Sequence, residues 1–359
     1  MDPTDFTSPH PSLISGWSPS LANQLMACQL RVAFARDPDY RTFQRPSTYS
    51  SLGTAAHAVT EAAFLQKGWP SDPTTLRSQL EDLWEREIEQ SAGALAKAWA
   101  PAEPPPPPEW PGYALTRARI IRRSMKLLST VRVAGPESSN LRGVEVELRD
   151  PDSGMFGRAD RIESDGESTR IVDLKTGLNQ DIPTEDQERQ LHLYAVLVHR
   201  RTGSWPRSIA IEDASGSQSV LPLDQSRAEE TVREVGLAVD SFNSAVETDG
   251  VLAMADPSPD HCRWCPYRVI CQPFWQALSS GWNQRSALGA ATVMGTSDHG
   301  YFVELELESP IESVGHNLRV SGLSEPVEPS ATKVAITDWA GSPERGTVHA
   351  RWSTIIRTW

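Results

Sequence analysis

A chain with only four cysteines places three of them in the ten-residue run CRWCPYRVIC, as Cys262, Cys265 and Cys271. Two thiolates three residues apart commonly share one ion, so the C-x2-C start of this run argues for a metal centre over separate buried thiols. Three thiolates leave an S4 site one ligand short. The remaining cysteine, Cys28, lies 234 residues upstream of Cys262. If Cys28 completes the site, the bound metal clasps the two ends of everything between them, and that long segment folds as a closed loop. The residues alone allow either Zn²⁺ or an iron–sulfur centre, because S4 coordination is tetrahedral in both.

The 359 residues are 38% hydrophobic and 23% charged, which suits a globular protein of two or three units. No apolar run approaches the roughly 18 residues of a membrane span. The opening MDPTDFTSPHPSL has neither a basic n-region nor an apolar h-region, so a cytoplasmic location without membrane contact is expected. Four cysteines there do not make a disulfide scaffold. The net charge of -13 weighs against a nucleic-acid partner. A basic patch can nevertheless sit on an acidic body, and between Thr116 and Pro136 the chain carries Arg117, Arg119, Arg122, Arg123, Lys126 and Arg132 with no acid.

The pattern predicts one helix over SPSLANQLMACQLRVAFARDP with Cys28 inside it, a second over SLGTAAHAVTEAAFLQKG ending at Gly68, and a third, more exposed, from Ser71 to Ala100. A stiff proline-rich connector, PAEPPPPPEWPG, precedes a helix with Leu115, Ala118, Ile121, Met125 and Leu128 on one side. Arg119, Arg122, Arg123 and Lys126 fall largely on the other side, as a candidate phosphate-facing stripe. The period then changes to strands in GVEVELRD, GMFGRADRIES and STRIVDLKTG, with a helix over EDQERQLHLYAVLVHRRT, two further strands and a helix from Ser226 to Val246. Helices on a mixed sheet make an α/β body of residues 1–280, with a helical insertion at about 70–130. Residues 281–359 read as a small all-β domain of four or five strands, an OB-like barrel being one form that fits. Tyr301, Phe302, Trp339 and Trp352 are its candidates for base stacking, with Arg319 and Arg351 for the backbone.

The chemistry-bearing centre is GRADRI followed by IVDLKTG. Asp160 and Asp173 stand thirteen residues apart across an ESDGEST turn, the spacing of a hairpin that brings both carboxylates to one ion. Alternation puts Asp173 and Lys175 on one face, with Leu174 on the other. Two carboxylates beside a lysine suit Mg²⁺ or Mn²⁺ and a phosphodiester, whereas D-x-K alone is usually a solvated strand end. His57 and Glu61 share a helical face, as do Gln190 and Tyr194. Glu145 is either a residue of the site or an edge-strand charge.

Four short motifs then occur in order: GTAAHAVTE (Gly53, His57, Glu61), GRADRI (Gly157, Asp160, Arg161), DLKTG (Asp173, Lys175, Thr176, Gly177) and QLHLY (Gln190, Tyr194). Over roughly residues 15–275 this set resembles the PD-(D/E)xK nuclease superfamily. The likeness is to the RecB-like branch that includes the CRISPR-adaptation nucleases and the iron–sulfur helicase-nucleases. The resemblance implies a restriction-endonuclease-like mixed sheet flanked by helices. It implies metal ligation by His57, Asp160, Asp173 and the Leu174 carbonyl, catalysis by Lys175, and Gln190 and Tyr194 orienting substrate or water. It also implies a 4Fe-4S cluster on Cys28, Cys262, Cys265 and Cys271; Trp264, Pro266 and Tyr267 either shield that centre from water or are ordinary packing.

The expected activity is metal-dependent hydrolysis of DNA, single-stranded or at free ends, in DNA repair or defence against foreign DNA. A GxxxxGK(S/T) phosphate loop is absent from the sequence, so unwinding would need a helicase or defence-system partner. The rival reading is a non-catalytic DNA-binding or assembly subunit. The intact His57, Asp160, Asp173 and Lys175 count against it.

Overall fold

A computed structural model describes residues 8–133, 143–164, 168–175, 183–213, 217–282 and 285–359. Helix α1 (Pro19–Ala27) starts where the Ser18 hydroxyl accepts from Leu21 N–H, with Pro19 in its first turn. The single helix expected through Cys28 is in fact two. Cys28 adopts extended backbone (φ −165°, ψ 109°), ending α1 and opening α2 (Gln29–Arg36). The bend lets Leu25 on one helix and Leu30 and Phe34 on the other enter the same core. No glycine or proline marks the break, so tertiary packing overrides local propensity there.

Helices α3 (Thr48–Leu65), α4 (Pro73–Trp99) and α5 (Tyr113–Val133) build a second core. Helix α4 is the more exposed of these helices, as expected, yet one face of it is buried. It buries Leu76, Leu80, Leu83, Trp84, Ile88, Leu95 and Trp99, a stripe at helical spacing, against α3 and α5.

The first sheet contains β1 (Gly143–Asp150), β2 (Met155–Ser164), β3 (Thr169–Lys175), β4 (Ser208–Asp213) and β5 (Gln218–Leu221), in the order β1-β2-β3-β4-β5. All neighbours are antiparallel except β3 and β4. Parallel neighbours need a crossover, and α6 (Glu185–Thr202) supplies it. It opens with a Thr184–Gln187 capping box and stops at Gly203, whose φ of 76° suits glycine. Helix α6 covers one face of the sheet, where Ile171, Ile209 and Ile211 are buried, and the following α7 (Gln225–Glu247) packs against α6 and α1. By alternation Val172, Leu174 and Ala210 form a small cluster on the other face.

The cysteine run occupies α8 (Pro259–Arg263) and the turns leading into α9 (Gln272–Ala277). A second sheet follows: β6 (Ser286–Ser297), β7 (Gly300–Ser309), β8 (Asn317–Leu323), β9 (Lys333–Thr337), β10 (Thr347–His349) and β11 (Ile355–Thr358), in the order β10-β8-β7-β6-β9-β11. Six strands replace the four or five expected. SALGAATVMGTS lacks the β-branched density of a strand, and its Gly289 is required because a Cβ there would fall 2.4 Å from the Glu306 carbonyl oxygen. The final run also divides into two strands. Trp339 is buried in the core of this sheet and offers no stacking surface, and Trp352 packs edge-on against Trp99 of α4. Among the described residues no helix is long and apolar enough to cross a membrane.

Candidate active site

Strands β2 and β3 pair only as far as Arg161 and Val172 and then part, opening a notch at the centre of the sheet. Asp160 and Asp173 stand on its two sides. The Asp160 carboxylate accepts a hydrogen bond from Leu174 N–H at 2.6 Å, which ties β2 to β3 across the gap. Asp173 is buried, with Lys175 Nζ 2.8 Å from its Oδ2 and Gln190 Nε2 donating to its Oδ1 at 3.0 Å. Asp173 and Lys175 therefore do share a face, while Leu174 packs against Val172 and Ala210.

Helix α3 brings His57 over the notch. Its Nδ1 lies 3.2 Å from Glu145 Oε1 and 3.9 Å from Asp160 Oδ1. Glu145, which the sequence left undecided between the site and an edge-strand charge, lies beside His57 in this notch. It falls between the Val144–Arg161 and Val146–Ala159 pairs, opposite Asp160, and its φ of 54° is unusual for a non-glycine residue. Such backbone outliers concentrate where a side chain must be aimed. Arg158 is clamped between Glu61 of α3 and Glu145, with its Nε 3.2 Å from Glu145 Oε2. Tyr194 lies beside Gln190, where burial and the charges of Asp160 and Asp173 raise its hydroxyl pKa above the usual value. Its hydroxyl donates to the Arg158 carbonyl at 2.8 Å and so fixes the free edge of β2. Thr176 and Gly177 lie outside the described residues.

Charge is unbalanced in this notch. Glu61, Glu145, Asp160 and Asp173 face Arg158, Lys175 and His57. Burial, reinforced by the Asp173 charge, pushes the Asp160 carboxyl up to about 6. The hydrogen bond to Glu145, helped by the charges of Asp160 and Asp173, raises His57 against the opposing effect of burial. His57, Glu145 and Asp160 each present one donor atom within 4.8 Å of the others. A surplus of carboxylate with converging oxygen and imidazole donors is the chemistry that a hard divalent cation completes.

Residues 16–272, most of the chain, match the family model of the PD-(D/E)XK nuclease superfamily. The chain belongs to the PD-(D/E)XK nuclease superfamily. The superfamily comprises metal-dependent nucleases, and the notch holds the donors that such an ion requires. A solved structure titled "Crystal structure of SSO0001" is 17% identical, covering 62% of this chain and 94% of its own, with a TM-score of 0.27 that adds nothing to the assignment. No curated protein matches the sequence at a significant level.

The nuclease body ends in the cysteine region. Cys28, Cys262, Cys265 and Cys271 line one cavity together with Phe34 and Tyr267. The two rings stack at 5.3 Å over it. Burial pushes Cys262 up to about 11 and raises Cys265 and Cys271 too, with neighbouring thiols adding to each shift. Thiols that resist ionising one beside another are stabilised as thiolates by a cationic guest. Tyr267 is buried at this cavity, but Trp264, the other aromatic candidate for a shield, is 74% exposed and points its ring toward Arg263 instead. Arg268 ties the region to the second sheet, donating to the Cys265 carbonyl and pairing with Asp338 at 2.7 Å.

Another correction concerns the basic stripe. Arg123 does not face solvent; it is 7% exposed, and its Nε lies 2.9 Å from Glu212 Oε1. Arg161 of the GRADRI motif binds the other oxygen of the same carboxylate, and Gln218 donates to it at 2.8 Å. Arg117 pairs with Glu85 of α4. The exposed members of the stripe are Arg122 and Lys126, with Arg119 half-buried. Helical periodicity places Arg123 correctly beside Arg122 but gives no sign of Glu212, 89 residues further along, whose carboxylate offsets the cost of its burial.

Proposed function

We propose that this nuclease is a RecB-like, Mg²⁺- or Mn²⁺-dependent deoxyribonuclease that hydrolyses single-stranded DNA or DNA ends. The observation that carries the reading is the convergence of His57, Glu145 and Asp160 within 4.8 Å, beside an Asp173–Lys175 pair. His57, Asp160, Asp173 and the Leu174 carbonyl would hold the cation, with Glu145 added to the set. Bound there, the cation supplies Lewis acidity toward the phosphodiester and lowers the pKa of water. Lys175, held by Asp173, offsets the charge that builds on the phosphoryl oxygens as water attacks phosphorus and the P–O bond breaks. Gln190 fixes the Asp173 carboxylate, and Tyr194 holds the β2 edge on which Asp160 stands. Both act by positioning.

The cysteine cavity is read as the seat of a 4Fe-4S cluster that clasps the nuclease body. What supports the reading is that Cys28, from the start of α2, and the three cysteines of the 262–271 run line the same cavity, the four thiolates that such a cluster requires. The β region from 281 to 359 would guide the strand, in DNA repair or in defence against foreign DNA alongside a helicase or defence-system protein.

The test is degradation of end-labelled single-stranded DNA with Mg²⁺ or Mn²⁺, run beside duplex DNA and RNA. Cleavage of DNA that EDTA abolishes is expected. Binding without cleavage under every metal condition would instead favour a non-catalytic DNA-binding or assembly subunit, and preferential cleavage of RNA would overturn the substrate.

A further inference from the structure

The outer face of the β1–β2 hairpin leads directly out of the notch. Residues opposite one another on antiparallel strands share a face, and every second residue returns to it. The pairs Glu147–Arg158 and Arg149–Phe156 therefore continue the row that begins with Glu145 and Asp160. Glu147, Arg149, Phe156 and Arg158 are all exposed, whereas Leu148 and Met155 on the reverse face are buried in the main core.

Phe156 is 41% exposed. A lone exposed phenylalanine needs no explanation. This one borders a cleft of about 390 Å³ that Arg158 and Tyr194 also line, together with Ser18 and Ser20. A cleft of that size takes a small ligand. The Phe156 backbone is anchored by its N–H, which donates to the Trp17 carbonyl at 2.9 Å, and the ring lies beside Gly16, where a Cβ would come 3.4 Å from Cε1. The Arg149 guanidinium lies 5.9 Å from the ring centroid. Arg158 is fixed by Glu61 and Glu145 between the ring and the acidic notch, with its side chain 47% exposed. Glu147 is the acidic member of the outer row.

We propose that this face is a nucleotide subsite: Phe156 stacks on one unpaired base of the strand, and Arg149 and Arg158 hold the phosphates flanking it. The proposal rests on the nuclease reading above and specifies how the strand leaves the notch. Four residues of strand separate Phe156 from Asp160, about 13 Å at ~3.3 Å per residue. That length corresponds to about four nucleotides of a stacked strand at ~3.4 Å each, and fewer of an extended one. An aromatic face without a base-edge partner is sequence-tolerant but demands an accessible base, so it selects single strands over duplex.

The experiment uses single-stranded oligonucleotides carrying one abasic nucleotide at each of the four positions on either side of the mapped cut. For the wild-type chain, one position lowers kcat/KM about tenfold, the loss expected for one base–aromatic stack. Phe156→Ala lowers kcat/KM on the unmodified strand by a similar factor and removes the penalty at that position, while Phe156→Tyr retains both. An unchanged melting temperature shows that the variants fold. A wild-type profile without a sensitive position, or the same profile in Phe156→Ala, overturns the subsite while leaving the nuclease reading intact. If the wild type cleaves nothing, the nuclease reading fails, and anisotropy with the same labelled strands decides the subsite: Phe156→Ala must weaken binding of the intact strand alone.

Discussion

Glu212 holds two guanidinium groups inside the protein, and removing its charge gives a sharply bounded prediction. Arg123, Arg161 and Glu212 are 7%, 9% and 4% exposed. Burial, with the Arg161 charge adding to it, brings Arg123 down to about 10 even though Glu212 opposes the shift. Burial also disfavours a charged Glu212, but the hydrogen bond from Arg161 and the charge of Arg123 outweigh it and hold the carboxyl below its usual value. Glu212→Gln keeps the shape but removes the buried carboxylate that both cations share: Arg123 loses its ion pair, and Arg161 keeps only the more exposed Glu163, at 2.9 Å. Breaking a buried ion pair from one side costs about 3–5 kcal/mol. At about 2 °C per kcal/mol for a large domain, the melting temperature should fall roughly 6–10 °C. Arg123→Met in the same chain removes the cation that has lost its pair and should recover part of the loss, a coupling that a double-mutant cycle reads directly. The sign with pH follows from the lowered pKa. The stabilisation is fully present above the ordinary carboxylate range and is lost as pH falls through the lower folded value, so the gap between wild type and Glu212→Gln should narrow progressively as the solution is acidified below that range. Thermal denaturation followed by circular dichroism across pH is the assay. A melting temperature within about 1 °C of wild type at neutral pH would refute the argument that this carboxylate carries both arginines.

The carboxylate of Asp160 should behave oppositely. Its folded pKa is raised to about 6, so metal-free protein binds protons more readily folded than unfolded and gains stability as pH falls through 6. The gain amounts to at most about 3 kcal/mol. Asp160→Asn should melt higher than wild type in EDTA at neutral pH, and Mn²⁺ should stabilise only the wild type; a variant that melts lower in EDTA would contradict the charge imbalance. For the cysteine cavity, anaerobically purified wild type should absorb near about 400 nm and contain iron and labile sulfide, as iron–sulfur clusters do. Cys28→Ser should lose both together with stability. Zinc without sulfide would replace the cluster assignment and leave the nuclease site untouched.

Much of the site was legible because its residues recur at short, rule-bound intervals. Alternation put Asp173 and Lys175 on one face, and helical spacing put His57 and Glu61 together, with no need to know the tertiary fold. What escaped the sequence depends on partners far away along the chain. Glu145 joins the notch because a left-handed residue faces Asp160 in the β1–β2 register, and nothing in GVEVELRD announces that turn of the backbone. Arg123 looked like one more cation on a solvated helix face until Glu212 appeared beneath it. Cys28 sits in a sequence with good helix propensity, yet the core on either side pulls α1 and α2 apart at that residue. The β6 strand was hidden by its small residues, which are there to let β7 approach. Local pattern therefore placed the chemistry, while packing decided the breaks, the buried charges and the edges.

The central claim is that the acids of the notch hold a divalent cation while Lys175 serves the chemistry. Mn²⁺ binding by calorimetry and cleavage of single-stranded DNA, measured together for wild type, Asp173→Ala and Lys175→Ala, separate the two roles. Asp173→Ala should lose both properties. Lys175→Ala should keep Mn²⁺ binding and lose cleavage by about a hundredfold or more, the scale of removing one group that stabilises transition-state charge. Wild-type cleavage that persists in both variants, or a wild type that binds no Mn²⁺, would contradict the account.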